Sequence, residues 1–144
     1  MNNKKILVTG GAGFIGSNIV KQLISDGNNV TVLDNFVSGY RINLDPFPSA
    51  RIVEGDVRDP AAVEEAVNGN EVIFHLAASV GNKRSIDDPI NDAQTNVLGT
   101  INILEAARKH KIRKVVVSSS AGIFGELKTL PIKEDHPVDP DSPY

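Results

Sequence analysis

The sequence predicts an α/β fold built on a doubly wound parallel sheet of at least five strands. Short Val- and Ile-rich runs alternate with stretches of helical periodicity, as repeated βαβ units require. The runs are apolar at nearly every position, which marks strands covered on both faces. The first run ends in a glycine-rich turn that opens a helix.

Strands are expected at residues 4–8, 29–33, 51–54, 71–76 and 113–117, each of strand length and rich in β-branched residues. The first helix spans residues 14–25: Ile15, Ile19 and Leu23 recur every four positions, Val20 and Ile24 lie beside them, and Asp26-Gly27 supplies the stop. Residues 39–49 are broken by Pro46 and Pro48 and are expected to form a loop with at most a short turn. Asp59 caps the next helix, Pro60 occupies its first turn at no hydrogen-bond cost, and residues 61–67 continue it. The longest helical pattern covers residues 91–110, with Val97, Ile101, Leu104 and Ala107 on one stripe. Arg108, Lys109, His110, Lys111, Arg113 and Lys114 follow as a basic run that complements the helix dipole rather than forming a polyanion site. Residues 121–144 hold four prolines and read as irregular chain, and the sequence has no repeat or low-complexity tract.

Composition removes several classes of function. A chain of 144 residues makes one domain and buries a sufficient core without staples. With no cysteine it has no disulfide framework and no Cys-ligated metal, and His75, His110 and His136 lack ligand spacing, so no metal site is expected. A net charge of −3 makes nucleic acid a poor partner. Glycines at 10, 11, 13 and 16 stop the only early apolar run well short of a membrane span, so a cytoplasmic protein without a membrane partner is expected.

The strongest chemical signal is Thr9-Gly10-Gly11-Ala12-Gly13-Phe14-Ile15-Gly16, a strand-to-helix turn of the Rossmann type. Missing side chains let the backbone turn tightly against a pyrophosphate, whose charge meets the free N–H groups and positive dipole end of the helix. Asp34 closes the second strand, where a carboxylate accepts hydrogen bonds from a ribose 2′-hydroxyl and repels a 2′-phosphate; NAD is therefore expected over NADP, with Arg41 as the one nearby cation arguing the other way. His75, inside an apolar strand, is expected to be a satisfied core residue. Ser118 and Ser119 read as strand-end hydroxyls. The Lys83-Arg84 pair is read either as a contact for sugar or diphosphate or as a solvated basic loop.

The Thr9 to Gly16 turn, Asp34-Asn35, Gly55-Asp56-Val57, His75-Leu76-Ala77-Ala78, Asn96-Val97-Leu98-Gly99-Thr100, Ser118-Ser119-Ser120 and Ser142-Pro143-Tyr144 occur together and in order. In this the whole chain resembles the extended short-chain dehydrogenase/reductase family, specifically its NAD-dependent nucleotide-sugar epimerases and dehydratases. The resemblance implies that Gly10, Gly13, Phe14, Ile15, Gly16, Asp34 and Asn35 hold the cofactor. It also implies that Asp56 and Val57 lie against the adenine, that Leu76, Ala77 and Ala78 line the cofactor beyond the fourth strand, and that Asn96 sits beside the active site. Ser120 and Tyr144 match the catalytic Ser or Thr and the catalytic Tyr. A phenolate at Tyr144 would take the proton of a sugar hydroxyl while Ser120 holds the oxygen. Epimerisation by transient oxidation to a keto-sugar follows, on a nucleotide sugar such as a UDP-hexose. Dehydratase relatives resemble Thr-Asp-Glu at the serine site, whereas Ala121 and Gly122 follow Ser120 here. Phe124 departs from the family's usual Tyr-Gly pair.

The resemblance further implies a Lys four positions beyond Tyr144, later strands, and a substrate domain following a cofactor-binding domain of residues 1–144. The 144 residues alone are therefore expected to be a weak catalyst, with dimerisation in the full-length protein through the helix over 91–110. The alternatives are a non-catalytic dinucleotide-binding module, or a dehydratase or reductase of the same family.

Overall fold

The computed structural model describes residues 2–144; Met1, the first residue of the expected domain, lies outside them. Strands Lys5–Thr9 (β1), Asn29–Asp34 (β2), Arg51–Glu54 (β3), Val72–His75 (β4) and Lys114–Val117 (β5) form one parallel sheet in the order β3-β2-β1-β4-β5. Helices Phe14–Ser25 (α1), Pro60–Val67 (α2), Asn82–Asp87 (α3), Pro89–Ala93 (α4) and Gly99–Lys109 (α5) complete the fold, with a single 3₁₀ turn at Arg41–Asn43 in the expected loop. The doubly wound α/β fold is thus as the sequence predicts. Strand order reverses between β1 and β4, and a crevice opens there at the carboxyl ends of the strands.

Side chains along β1 alternate between two cores, which is why its sequence is continuously apolar. Ile6 and Val8 join Val32, Val72 and the α1 residues Val20 and Leu23, while Leu7 joins Leu33, Ile73, Val63, Val67 and Ile103 on the other face. All of these are buried.

Three elements differ from the sequence reading. Lys83 and Arg84 lie on α3 rather than in a loop, and Lys83 Nζ pairs with Asp87 at 2.6 Å one turn on; six residues are too few to carry a readable apolar period. The long helical pattern starts earlier than residue 91, at Pro89. Asp88 accepts from Asn91 N at 3.0 Å, repeating the Asp-Pro start of α2, where Asp59 accepts from Ala61 N at 2.9 Å. That helix is also not uniform, because Gln94–Leu98 winds as a π-helix between α4 and α5. The wider turn changes the helical phase, so Gly99, Ile103, Ala106 and Ala107 face the core while Val97, Ile101 and Leu104 of the expected stripe are exposed. Ile15 likewise points outward from α1, whose buried residues are Gly16, Val20 and Leu23. The basic run behaves as helix-end charge: Arg108 pairs with Glu105, and Lys109 and His110 both reach Glu64.

A buried polar chain ties the crevice floor together. Thr9 Oγ1 accepts from the Leu76 and Ala77 nitrogens, each at 3.1 Å, so its proton is committed to His75 Nδ1 at 2.7 Å. The imidazole is then the Nε2–H tautomer, donating to Thr100 Oγ1 at 3.0 Å, which donates to the Asn96 carbonyl at 2.7 Å. His75 is a satisfied core residue, and burial holds its pKa down at about 4.

Leu7, at 0% exposure in the central strand, has no room to relax around a truncation. Leu7→Ala is expected to cost about 3 kcal/mol in urea unfolding. His75 has a folded pKa below its unfolded value near 6.5, so the unfolded chain binds the extra proton and stability is lost as pH falls from about 6.5 towards 4. The stability advantage of wild type over His75→Gln should therefore shrink between pH 6.5 and 5, by up to about 1.4 kcal/mol per pH unit. Urea midpoints measured across that range check it.

Candidate functional site

A cleft of about 770 Å³ runs along the carboxyl ends of the strands, from Asp56 at one end to Ser120 and Tyr144 at the other. Its centre is the turn between β1 and α1. Gly10 has φ +68°, and a Cβ there would lie 2.8 Å from Ala77 N. A Cβ on Gly16 would collide with the Gly10 carbonyl oxygen, so only glycine lets α1 start this close to the strand it follows.

The start of α1 is built differently from those of α2 and α4. Its N-cap is Gly13, with no side-chain cap and no acid in the first turn. Gly13, Phe14, Ile15 and Gly16 line the cleft, and the Phe14 side chain is 86% exposed, so what the turn offers the cleft is backbone N–H. The glycine cradle and the uncapped helix end fit a dinucleotide's pyrophosphate.

Asp34 is buried at the end of β2. Its Oδ2 accepts from Ala12 N and its Oδ1 from Phe36 N, both at 2.9 Å. Each oxygen keeps one lone pair, and the carboxylate lines the cleft. Arg41, the cation that argued for NADP, is engaged elsewhere: it forms an ion pair with Glu54 and stacks on Phe36 with its guanidinium 4.4 Å from the ring centre. Asp56 and Asn35 sit together at the β3 end, where Asn35 Nδ2 donates to Asp56 Oδ2 at 2.8 Å. Hydrogen bonds from Arg58 pull the Asp56 pKa down to about 2, against the opposing effect of burial.

Across the switch point, Leu76, Ala77 and Ala78 form the wall after β4. Asn96 lies in the π-helical turn, and its amide brackets Ser79, accepting from Ser79 N at 2.8 Å and donating to Ser79 O at 2.9 Å. Ser120 Oγ accepts from Gly122 N at 3.1 Å at the start of the 3₁₀ turn Ala121–Phe124. A Cβ built on Gly122 would lie 3.3 Å from Ser120 Oγ and 3.6 Å from the Tyr144 ring, so Ser120 and Tyr144 flank the same point.

The cleft thus gathers the expected residues at one face of the sheet. It also includes residues that sequence reasoning missed. Ser38 and Gly39 close over the glycine turn, where Tyr40 N donates to the Ala12 carbonyl at 3.2 Å and Asn43 Nδ2 to the same oxygen at 2.8 Å. Thr95 and Thr100 enter through the π-helical turn. Arg58 was also missed, although a cation two residues after a strand-end acid was a usable signal.

The family model for GDP-mannose 4,6 dehydratase matches residues 7–144. The UDP-glucose 4-epimerase of Mycolicibacterium smegmatis is 46% identical over 149 aligned positions, covering 97% of this chain and 46% of that protein. Among solved structures, the Thermus thermophilus UDP-glucose 4-epimerase complex with NAD superposes with a TM-score of 0.88 at 40% identity, over 97% of this chain and 46% of that one. The UDP-N-acetylglucosamine 4-epimerase of Methanobrevibacter ruminantium, in complex with UDP-N-acetylmuramic acid, gives 0.90 at 38% identity, over 100% and 46%. The chain spans less than half the length of each of these proteins. The parallel sheet, the glycine cradle and a match over nearly all its residues agree: the chain belongs to the GDP-mannose 4,6 dehydratase family, within the extended short-chain dehydrogenase/reductases that its sequence resembles.

Proposed function

We propose that this chain is the cofactor-binding part of an NAD-dependent nucleotide-sugar epimerase that interconverts UDP-hexoses through a keto-sugar. The observation that carries the reading is the cleft itself, with an uncapped glycine turn at its middle and Ser120 and Tyr144 flanking one point at its end. The NAD- and UDP-sugar-bound structures to which the chain is similar support the choice of ligands.

Bound NAD supplies the hydride acceptor. The chain's residues do the rest. The first N–H groups of α1 face the pyrophosphate, and Asp34 uses its remaining lone pairs on the adenosine ribose. Ser120 Oγ accepts the Gly122 N–H, which leaves its own proton to donate to the reacting sugar oxygen. The Tyr144 phenolic oxygen takes the proton of that hydroxyl and returns it when the sugar is reduced on its other face. Ala121 and Gly122 place no carboxylate beside Ser120 for the elimination that a dehydratase performs, which favours epimerisation. Exposed Ile90, Val97, Ile101 and Leu104 favour a homodimer through α4 and α5 in the full-length protein, and the cytoplasm is its proposed compartment.

Interconversion of UDP-glucose with UDP-galactose, and of the corresponding UDP-N-acetylhexosamines, by the full-length gene product tests the reading. Turnover of no nucleotide sugar would leave a non-catalytic dinucleotide-binding module. In that protein, Tyr144→Phe and Ser120→Ala are each expected to lower kcat by about 10²–10⁴-fold while calorimetry still detects NAD binding. Full activity in Tyr144→Phe would remove the assigned base. Gly16→Ala should lower Tm and abolish measurable NAD uptake together, because the new Cβ pushes the turn off its strand.

A further inference from the structure

Asp34 and Asp56 close neighbouring strands at the same end of the sheet, yet their oxygens are spent differently. Asp34 accepts two hydrogen bonds and has lone pairs to spare. Asp56 accepts four. Oδ1 takes the Arg58 backbone N–H at 2.8 Å and Nε at 2.9 Å, while Oδ2 takes an Arg58 terminal nitrogen at 2.8 Å and Asn35 Nδ2 at 2.8 Å. A carboxylate offers about four acceptor positions, so this one is saturated.

The inference rests on the dinucleotide reading above. With pyrophosphate at the end of β1 and ribose at the end of β2, the strand order places the base at the end of β3, where Asn35 and Asp56 line the cleft. We propose that Asn35 determines specificity for the base: its amide stands in, on Asp56 Oδ2, for the exocyclic amine of an aminopurine and gives way to that amine on binding.

Asn35 is the replaceable partner. Arg58 supplies three charge-assisted or chelated bonds from two residues away and is itself braced by Asn91 Oδ1 at 3.0 Å. Asn35 supplies one neutral donor from an exposed side chain, whose Oδ1 is held locally by Val37 N at 3.1 Å. A 6-aminopurine replaces that donor bond for bond. A 6-oxopurine brings only lone pairs to the same place and leaves Asn35 on the carboxylate, which shields the oxo group from the negative oxygen. Removing the amide therefore has opposite effects on the two bases. The aminopurine no longer displaces anything, and the oxopurine faces a bare carboxylate.

Calorimetric titration of wild type and Asn35→Ala with NAD and with nicotinamide hypoxanthine dinucleotide tests this. The two ligands differ only at position 6 of the base, so whatever else the Asn35 side chain does for the dinucleotide cancels in the ratio of their Kd values. That ratio, oxo over amino, is expected to rise at least fivefold in Asn35→Ala; an unchanged or smaller ratio overturns the proposal. Asp56→Asn, whose amide can turn either a donor or an acceptor to the base, should bring the ratio near one, and a ratio that stays at the wild-type value also overturns it. If neither dinucleotide binds the wild-type protein, the dinucleotide reading and this inference fall together. If NAD binds and the ratio does not move, only this inference falls.

Discussion

How closely the backbone can pass itself between β1 and α1 decides what the carboxyl edge of the sheet can hold. With no side chain at Gly16, the helix begins against the Gly10 carbonyl, and with none at Gly10 the turn lies against the nitrogen of Ala77. Neither approach survives a methyl group. Because the turn is pressed onto the end of β4, the wall formed by Leu76, Ala77 and Ala78 and the N-terminus of α1 face one another across a single crevice. The Thr9 hydroxyl fixes the spacing by holding both the Leu76 and Ala77 nitrogens.

Electrostatics along the crevice follow from how each polar group is satisfied rather than from its formal charge. The α1 N-terminus lacks the side-chain oxygen that closes α2 and α4, so its donors remain for something outside the chain. Asp34 is oriented by two backbone donors and still has acceptors to give, whereas Asp56 is neutralised and filled by Arg58 and Asn35. His75, a residue type that invites a catalytic reading, has both ring nitrogens committed to hydroxyls and is held neutral by burial.

Much of this was legible in the sequence because its causes are local. Glycines at fixed spacing after an apolar run, and continuous Val/Ile strands, imply the turn and the two-faced sheet directly. Asp34 was readable because it ends a strand beside that turn. What escaped depends on contacts between distant segments. Ser38 and Gly39 reach the cleft only because the following loop bonds back to Ala12. Asn96 was expected beside the site from resemblance, but its grip on Ser79 depends on a change of helical pitch that no apolar period announces. The start of α4 was the avoidable miss, since Asp88-Pro89 carries the same signal as Asp59-Pro60.

The π-helical turn sets a constraint on how this chain can vary in length. Gln94–Leu98 accommodates a wider winding within an otherwise α-helical segment, and the residues after it keep Ile103 and Ala107 on the core. Deleting one residue there to restore regular winding would rotate everything on one side by about 100° relative to the other. Either Asn96 would leave Ser79 or Ile103 would leave the core. Insertions and deletions should therefore accumulate in the loop after β2 and be purged from this helix, even though both segments border the same cleft.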